Sequence, residues 1–252
     1  MVTLGEKIRM FRNDQNISQF ELETELSLGY GSVSRIESNQ IIPKRKTLEK
    51  ISRFLKLNDR KFDYLIGSRI KAPTEQEIKE VIYLMKEVWS NPNILILLRD
   101  DHFRLCAASK GILNLFKISD EEWEKYYYLR NIAAVMLDKN LKFHKSFNTT
   151  INKDAIKDLT AILVGFYYEM SYLKLENDYQ EAILEIEKDP IAKAILENIY
   201  KTKIYPSHFL ITDRQLKVYD NNQEICLSFY TEVIPDSTRF SFIHFFPKPD
   251  SF

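Results

Sequence analysis

Apolar side chains return every three or four positions through most of this chain and shift toward every second position in a short stretch near residue 100 and again near its end. Leu4, Ile8 and Phe11 form one stripe and predict a helix over 3–14. Leu22 and Leu26 form a shorter stripe behind Ser18, and Ser18 with Glu21 has the spacing of a capping box, in which each residue satisfies the other's backbone N–H. Residues 27–31 (SLGYG) are too polar and glycine-rich to continue that helix, so the chain turns there. The next helix, over 30–38, turns Val33 and Ile36 inward and leaves Tyr30, Gly31, Ser32 and Arg35 outward. Asn39 follows where a helix end calls for a left-handed residue, a conformation asparagine tolerates. A proline-broken loop over 41–46 leads to helices over 48–55 and 59–66, and Gly67 ends the last.

Beyond a linker over 68–74 the pattern is mixed. Thr74 and Glu77 repeat the capping-box spacing and open a helix to about 89, whose stripe (Ile78, Val81, Ile82, Met85, Val88, Trp89) suits packing on its own domain or on a second subunit. Residues 94–99 read as a buried strand, Asp100-Asp101 as a turn, and 103–107 as an alternating strand. Helices are expected over 110–116, 121–128 (Ser119 with Glu122 at its start), 131–138 and 153–175, and a further one opens at Asp189-Pro190. Strands are expected over 209–212, 216–219, 225–233 and 239–246. The fold class is α+β with two domains, helical over 1–67 and mixed over 75–252.

Charge sharpens this division. The whole chain is neutral, with 36 basic and 36 acidic side chains, yet residues 1–72 hold 14 basic against 9 acidic and the remainder 22 against 27. The basic half attracts phosphate and the acidic half does not. Lys44, Arg45 and Lys46 are consecutive and are expected along a phosphate backbone, where they position a protein without reading sequence. The longest apolar run, 94–98, is far too short for a bilayer, and MVTLGEKIRM has no apolar core of a secretion signal. Cys106 and Cys226 are isolated, so neither a disulfide framework nor a zinc site is expected, and a cytoplasmic location fits. His102, His144, His208 and His244 are scattered without metal-ligand spacing. The six glycines make no phosphate loop, and no nucleophile elbow or HExxH occurs. Neither enzyme activity nor a cofactor is expected.

Leu4, Ile8, Arg12, Ser18-Gln19, Leu22, Leu26, Val33-Ser34-Arg35-Ile36-Glu37 and Pro43 together resemble the Cro/C1-type ("XRE") helix-turn-helix family over residues 4–66. The resemblance implies a five-helix bundle that contacts double-stranded DNA through Gln19, Tyr30, Gly31, Ser32 and Arg35. Ser18 and Asn39, at the ends of these helices, join the candidates. It also implies a buried structural pair, Arg12 with Glu37. Glu23 stands where the family usually has alanine and must swing out to water or be paired, because a lone buried carboxylate is costly. Ser27 replaces the usual turn glycine.

In the second domain, two strands followed by Ser109, Ile112, Leu115, Phe116, Ile118-Ser119 and Trp123 look like the opening of a PAS fold. Placed behind a helix-turn-helix, with Arg130-Asn131 leading a helix, the layout is similar to MmyB-like regulators over about 75–250. Ala108-Ser109 stands where that family usually has a tryptophan-asparagine pair. This resemblance implies a pocket for an apolar molecule such as a fatty acid, and the candidates for its lining are Phe103, Leu105, Phe116, Trp123, Met136, Phe166, Met170, Phe229 and Phe242. The expectation is a sequence-specific transcription regulator, a homodimer on a pseudo-palindromic operator, with a small-molecule ligand and no membrane contact. Its alternatives are a repressor whose second domain only dimerises, and a DNA-binding module attached to a haem-type sensor or an enzyme.

Overall fold

The structure is a computed structural model that describes residues 2–67, 71–146, 153–202, 215–220, 223–234 and 237–247. The strand expected over 209–212, His208 and residues 68–70 of the expected linker lie outside the described residues. The chain forms two compact units. One comprises Met1–Lys71 together with Tyr172–Asn177, and the other comprises Ala72–Ser171 and Asp178–Phe252.

The first unit is helical: α1 (Leu4–Asp14), α2 (Gln19–Glu25), α3 (Ser32–Glu37), α4 (Arg45–Phe54) and α5 (Asp59–Ile66). Capping fixes where the first two begin. Thr3 with Glu6 and Ser18 with Glu21 each form a complete capping box, so two otherwise orphaned backbone N–H groups find acceptors at each start. Ile8, Phe11, Leu22, Leu26, Val33, Ile36, Ile51, Leu55, Tyr64 and Leu65 are buried and form the core. Two boundaries differ from expectation. The helix expected over 30–38 starts at Ser32, because Gly31 at φ +73° is left-handed and cannot belong to a right-handed helix. The loop expected over 41–46 ends early, because Pro43 breaks the chain two residues ahead of Arg45 and Lys46, which join the first turn of α4.

Tyr172–Asn177 completes this unit, although the apolar spacing reads its first part as the tail of a long helix. The Tyr64 and Tyr172 rings meet edge to face at 5.5 Å, and the Tyr64 hydroxyl donates to Glu176 at 2.8 Å. Burial, reinforced by the Glu176 carboxylate, pushes the Tyr64 phenol up. Lys7, itself buried, donates to the Tyr64 carbonyl at 2.8 Å and lies over the Tyr64 ring. Burial lowers the Lys7 ammonium pKa while the charge of Glu176 opposes that fall. Lys174 pairs with Asp14 on α1.

The second unit begins with α6 (Glu75–Leu84) and α7 (Lys86–Ser90), then β1 (Ile96–Asp100) and β2 (Leu105–Ala108). Helices α8 (Lys110–Leu115), α9 (Asp120–Tyr126), α10 (Ile132–Leu137), α11 (Lys142–Ser146) and α12 (Lys153–Met170) follow. A 3-10 turn (Ser171–Leu173), α13 (Asn177–Ile186) and α14 (Pro190–Thr202) lead to β3 (Gln215–Asp220), β4 (Gln223–Ile234) and β5 (Ser237–Pro247). The single helix expected over 74–89 breaks at Met85, whose φ of −121° is not helical. The helix expected over 153–175 stops at Met170, and α11 and α13 were not foreseen at all.

The strands form one antiparallel sheet in the order β2-β1-β5-β4-β3, so the last strand returns to lie beside the first. Alternation sorts side chains between its faces. Ile96, Leu98, Phe240 and Phe242 lie on one face, in a cluster with Cys106 and Ala107 that Ile78 of α6 and Trp89 of α7 cover. The α6 stripe thus packs within its own domain. Leu97, Arg99, Ser241 and Ile243 alternate onto the other face, where Arg99 reaches Glu169 of α12.

Replacing Tyr172 with alanine removes a fully buried ring from the first unit. The expected cost is about 3 kcal/mol, the usual range for an aromatic-to-alanine change in a core, read as faster amide exchange in α1 and α5.

Candidate nucleic-acid interface

The outward face of the first unit is set by one buried carboxylate. Glu37 at the end of α3 has no exposed side-chain surface. Its Oε1 accepts Arg12 Nε at 2.6 Å, and its Oε2 accepts Arg12 Nη2 at 2.9 Å and Gln19 Nε2 at 2.7 Å. Arg9 adds a longer contact from Nε at 3.4 Å and donates from Nη2 to the Glu37 carbonyl at 3.2 Å. Arg12 Nη1 donates to the Ile17 carbonyl at 2.7 Å, just ahead of α2. One carboxylate therefore orients three helices. Burial by itself would raise the Glu37 carboxyl pKa, but hydrogen bonds from Arg12 and Gln19 and the charges of Arg12 and Arg9 hold it below its ordinary value.

The turn before α3 is fixed by Glu23. This residue is 5% exposed, and its Oε1 accepts the Val33 N–H at 2.8 Å. The carboxylate is thus a remote N-cap: it satisfies an orphaned donor and faces the positive end of the α3 dipole. Gly31 offers no side chain for that task, which is why a residue eight positions earlier performs it. Ser27 sits at φ +54°, the left-handed conformation glycine adopts without strain.

Gly5 allows α1 and α3 to cross closely. A Cβ there would lie 2.5 Å from the Ile36 carbonyl oxygen and 2.6 Å from that of Glu37. The Gly5 N–H instead donates to Asn39 Oδ1 at 3.0 Å, and Asn39 Nδ2 donates to Thr3 Oγ1 at 2.9 Å. Asn39 is left-handed at φ +60°, and its amide is engaged with the start of α1.

The sequence candidates for DNA contact separate on this frame. Arg35 is exposed on α3, with Nε donating back to the Gly31 carbonyl at 3.3 Å. Tyr30 is 91% exposed in the preceding turn, and Gly31 and Ser32 are half-buried at the helix start. Ser34 and Ser38 are exposed beside Arg35 and were not among the candidates, although the inward spacing of Val33 and Ile36 places both outside. Ser18 caps α2 with its hydroxyl, and Gln19 is half-buried against Glu37. Lys44, Arg45 and Lys46 are exposed where α4 begins, and Arg45 pairs with Glu49 at 3.0 Å. Phe20, 66% exposed next to Gln19, had no sequence signal beyond its neighbour.

The apolar candidates of the second unit do not form one group. Phe103 and Phe166 meet edge to face at 5.7 Å, and Phe166 stacks on Tyr179. Phe116 meets Phe143 at 4.4 Å, and Trp123 stacks on Tyr127, which also touches Phe143. Phe229 is half-buried beside Phe245. Leu105, Met136 and Met170 are buried. Phe242 packs with Trp89 across the sheet from Arg99, because strand alternation turns Phe242 and Ser241 to opposite faces. His102 pairs with Asp178 at 3.2 Å, His144 Nδ1 lies 3.1 Å from the Met136 carbonyl, and His244 stacks on Tyr230. Among the described residues no group of three or more His, Cys, Asp or Glu could hold a metal ion, and no helix is long and apolar enough to cross a membrane.

Residues 8–62 match the family model described as Helix-turn-helix. That span takes in most of α1 and all of α2 to α4, and the match supports a DNA-binding transcription regulator. Among curated proteins none matches the chain.

Two variants test the frame. Ser27→Gly relieves left-handed strain and is expected to raise stability by about 0.5–1 kcal/mol, read as a higher melting temperature. The low pKa of Glu37 contributes stability that is complete above its unfolded pKa, near 4.5, and is lost as pH falls through the folded value. Glu37→Gln is expected to cost about 3 kcal/mol at pH 7, because it leaves the buried Arg12 charge uncompensated. The same variant should flatten the acid limb of the stability curve, measured by urea titration between about pH 3 and 5.

Proposed function

We propose that the protein is a sequence-specific transcription regulator whose α3 enters the DNA major groove and whose second unit senses a small apolar molecule. One observation carries the DNA reading: a short helix is clamped by Glu37 and capped by Glu23 so that Arg35, Ser34 and Ser38 point to solvent. A major groove admits one such helix, and arginine pairs with guanine edges there. Lys44 and Lys46 sit beside it as phosphate contacts, in keeping with the surplus of basic side chains in residues 1–72. The regulator acts as a homodimer, with two copies of α3 about 34 Å apart reading half-sites in successive grooves.

For the second unit, the order of strand pair, intervening helices and three antiparallel strands supports a PAS-like sensor domain. The apolar ligand acts by favouring one dimer geometry over another. Phe103, Leu105, Phe166 and Met170 are the lining residues on this reading, whereas Phe242 contributes to the core beneath α6 and α7.

Arg35→Ala is expected to weaken operator binding by roughly 1–3 kcal/mol and relax base preference at one position per half-site. Selection of bound duplexes from a random pool, followed by footprinting, measures both effects and displays the dyad. An unchanged preference in the variant would remove Arg35 from base reading.

A further inference from the structure

Arg99, the fourth of the five residues of β1, is 4% exposed, a rare position for a guanidinium. Only part of it is satisfied. Nη2 donates to both oxygens of Glu169 at 2.9 and 2.7 Å, while Nε and Nη1 are buried and have no hydrogen-bond partner among the described residues. A buried donor without an acceptor costs about 1–3 kcal/mol, and more when charged. Its neighbours on the adjoining strands are Leu105 and Ser241. The Phe103 ring lies beneath the guanidinium, 4.4 Å from ring centroid to the guanidinium carbon. Phe103 holds this place at φ +63°, a strained conformation for a bulky residue. The site thus has a cation with open donors, an aromatic floor and the Phe166 ring next to it.

The two partners of the ion pair are unequal. The Glu169 side chain is 36% exposed and that of Arg99 only 5%. Glu169 is therefore the solvent-accessible partner of the pair and Arg99 the enclosed one. Taking the ligand-sensing reading above as its premise, we infer that Arg99 anchors the carboxylate head of an apolar-tailed ligand. The incoming carboxylate accepts from Nη1 and Nη2, the end-on fork of the guanidinium, and so displaces Glu169, which is held by Nη2 alone. The tail lies against Phe103, Leu105 and Phe166. Glu169 is the residue before Met170, the last of α12, so the exchange occurs where the chain passes through Ser171 into the Tyr172–Asn177 segment.

The test is calorimetric titration of the full-length, delipidated protein with hexanoate, dodecanoate and hexadecanoate, each against the alcohol of equal length. At least one carboxylate is expected to bind at least about tenfold tighter than its alcohol, the worth of a charge-assisted hydrogen bond. Arg99→Met, checked for fold by circular dichroism, should bind acid and alcohol alike. Glu169→Gln removes the competing carboxylate and should tighten the acid about tenfold while leaving the alcohol unchanged, a direction that loss of a merely structural ion pair would not give. Equal binding of acid and alcohol by the unaltered protein overturns the role of Arg99 and leaves the apolar-ligand reading standing. A preference for the acid that survives Arg99→Met, or is unaltered by Glu169→Gln, also overturns it. Binding of neither acid nor alcohol overturns both readings.

Discussion

A single buried carboxylate governs the geometry of the first unit. Glu37 is withdrawn from water, and a charge so placed is tolerable only if several donors surround it. Arg12 from α1 and Gln19 from the first turn of α2 supply them, and Arg12 also holds the carbonyl of Ile17. The position of α3 is therefore fixed at its C-terminal end by charge and at its N-terminal end by Glu23. Six residues make fewer than two turns, too little to be stable alone, so the helix exists because its ends are held. What remains outward is small and polar with one arginine, the surface a major groove can take.

The same economy of charge recurs in the second unit with a different outcome. Asp100 is buried and takes Arg104 Nε at 2.7 Å and the N–H groups of His102 and Arg104, so its oxygens are satisfied by the turn it begins. Arg239 bridges Asp101 and Glu77. Arg99 differs from these networks, since two of its buried nitrogens have no acceptor among the described residues. The acceptors of Glu37 and Asp100, by contrast, are filled from within the chain.

Connectivity gives the chain a further property. It passes from the first unit to the second after Lys71, returns at Tyr172, and leaves again after Asn177. Tyr172 and Leu173 are as deeply buried as any core residue of the first unit, and the Glu176 carboxylate bears on both Tyr64 and Lys7. The end of α12 is thus joined, through Ser171, to residues that pack in the helical unit.

The helices of the first unit, the antiparallel strands near the end and the caps Ser18, Thr74, Ser119 and Asp189 were legible in the sequence, because burial of one face imposes a period of 3.6 or 2 and helix starts need side-chain acceptors. The Arg12 and Glu37 positions and the exposed Arg35 were legible through family spacing. Other features depend on which distant residues meet, and no local pattern encodes that. Glu23 stood out only as a misfit in its family position, and its partner, the Val33 N–H, has no side-chain signature. Gly5 at a helix crossing, the Asn39 amide turned to α1, the break at Met85 and the seating of Tyr172 against Tyr64 belong to the same kind. Nine apolar candidates looked equivalent because hydrophobicity alone does not say which sheet face a residue takes, and register sent Phe242 to one side and Leu105 with Arg99 to the other. Sequence alone determined which segments must hide a face. Tertiary structure alone decided what each face hides against, since pairing energy depends on contacts tens of residues apart along the chain.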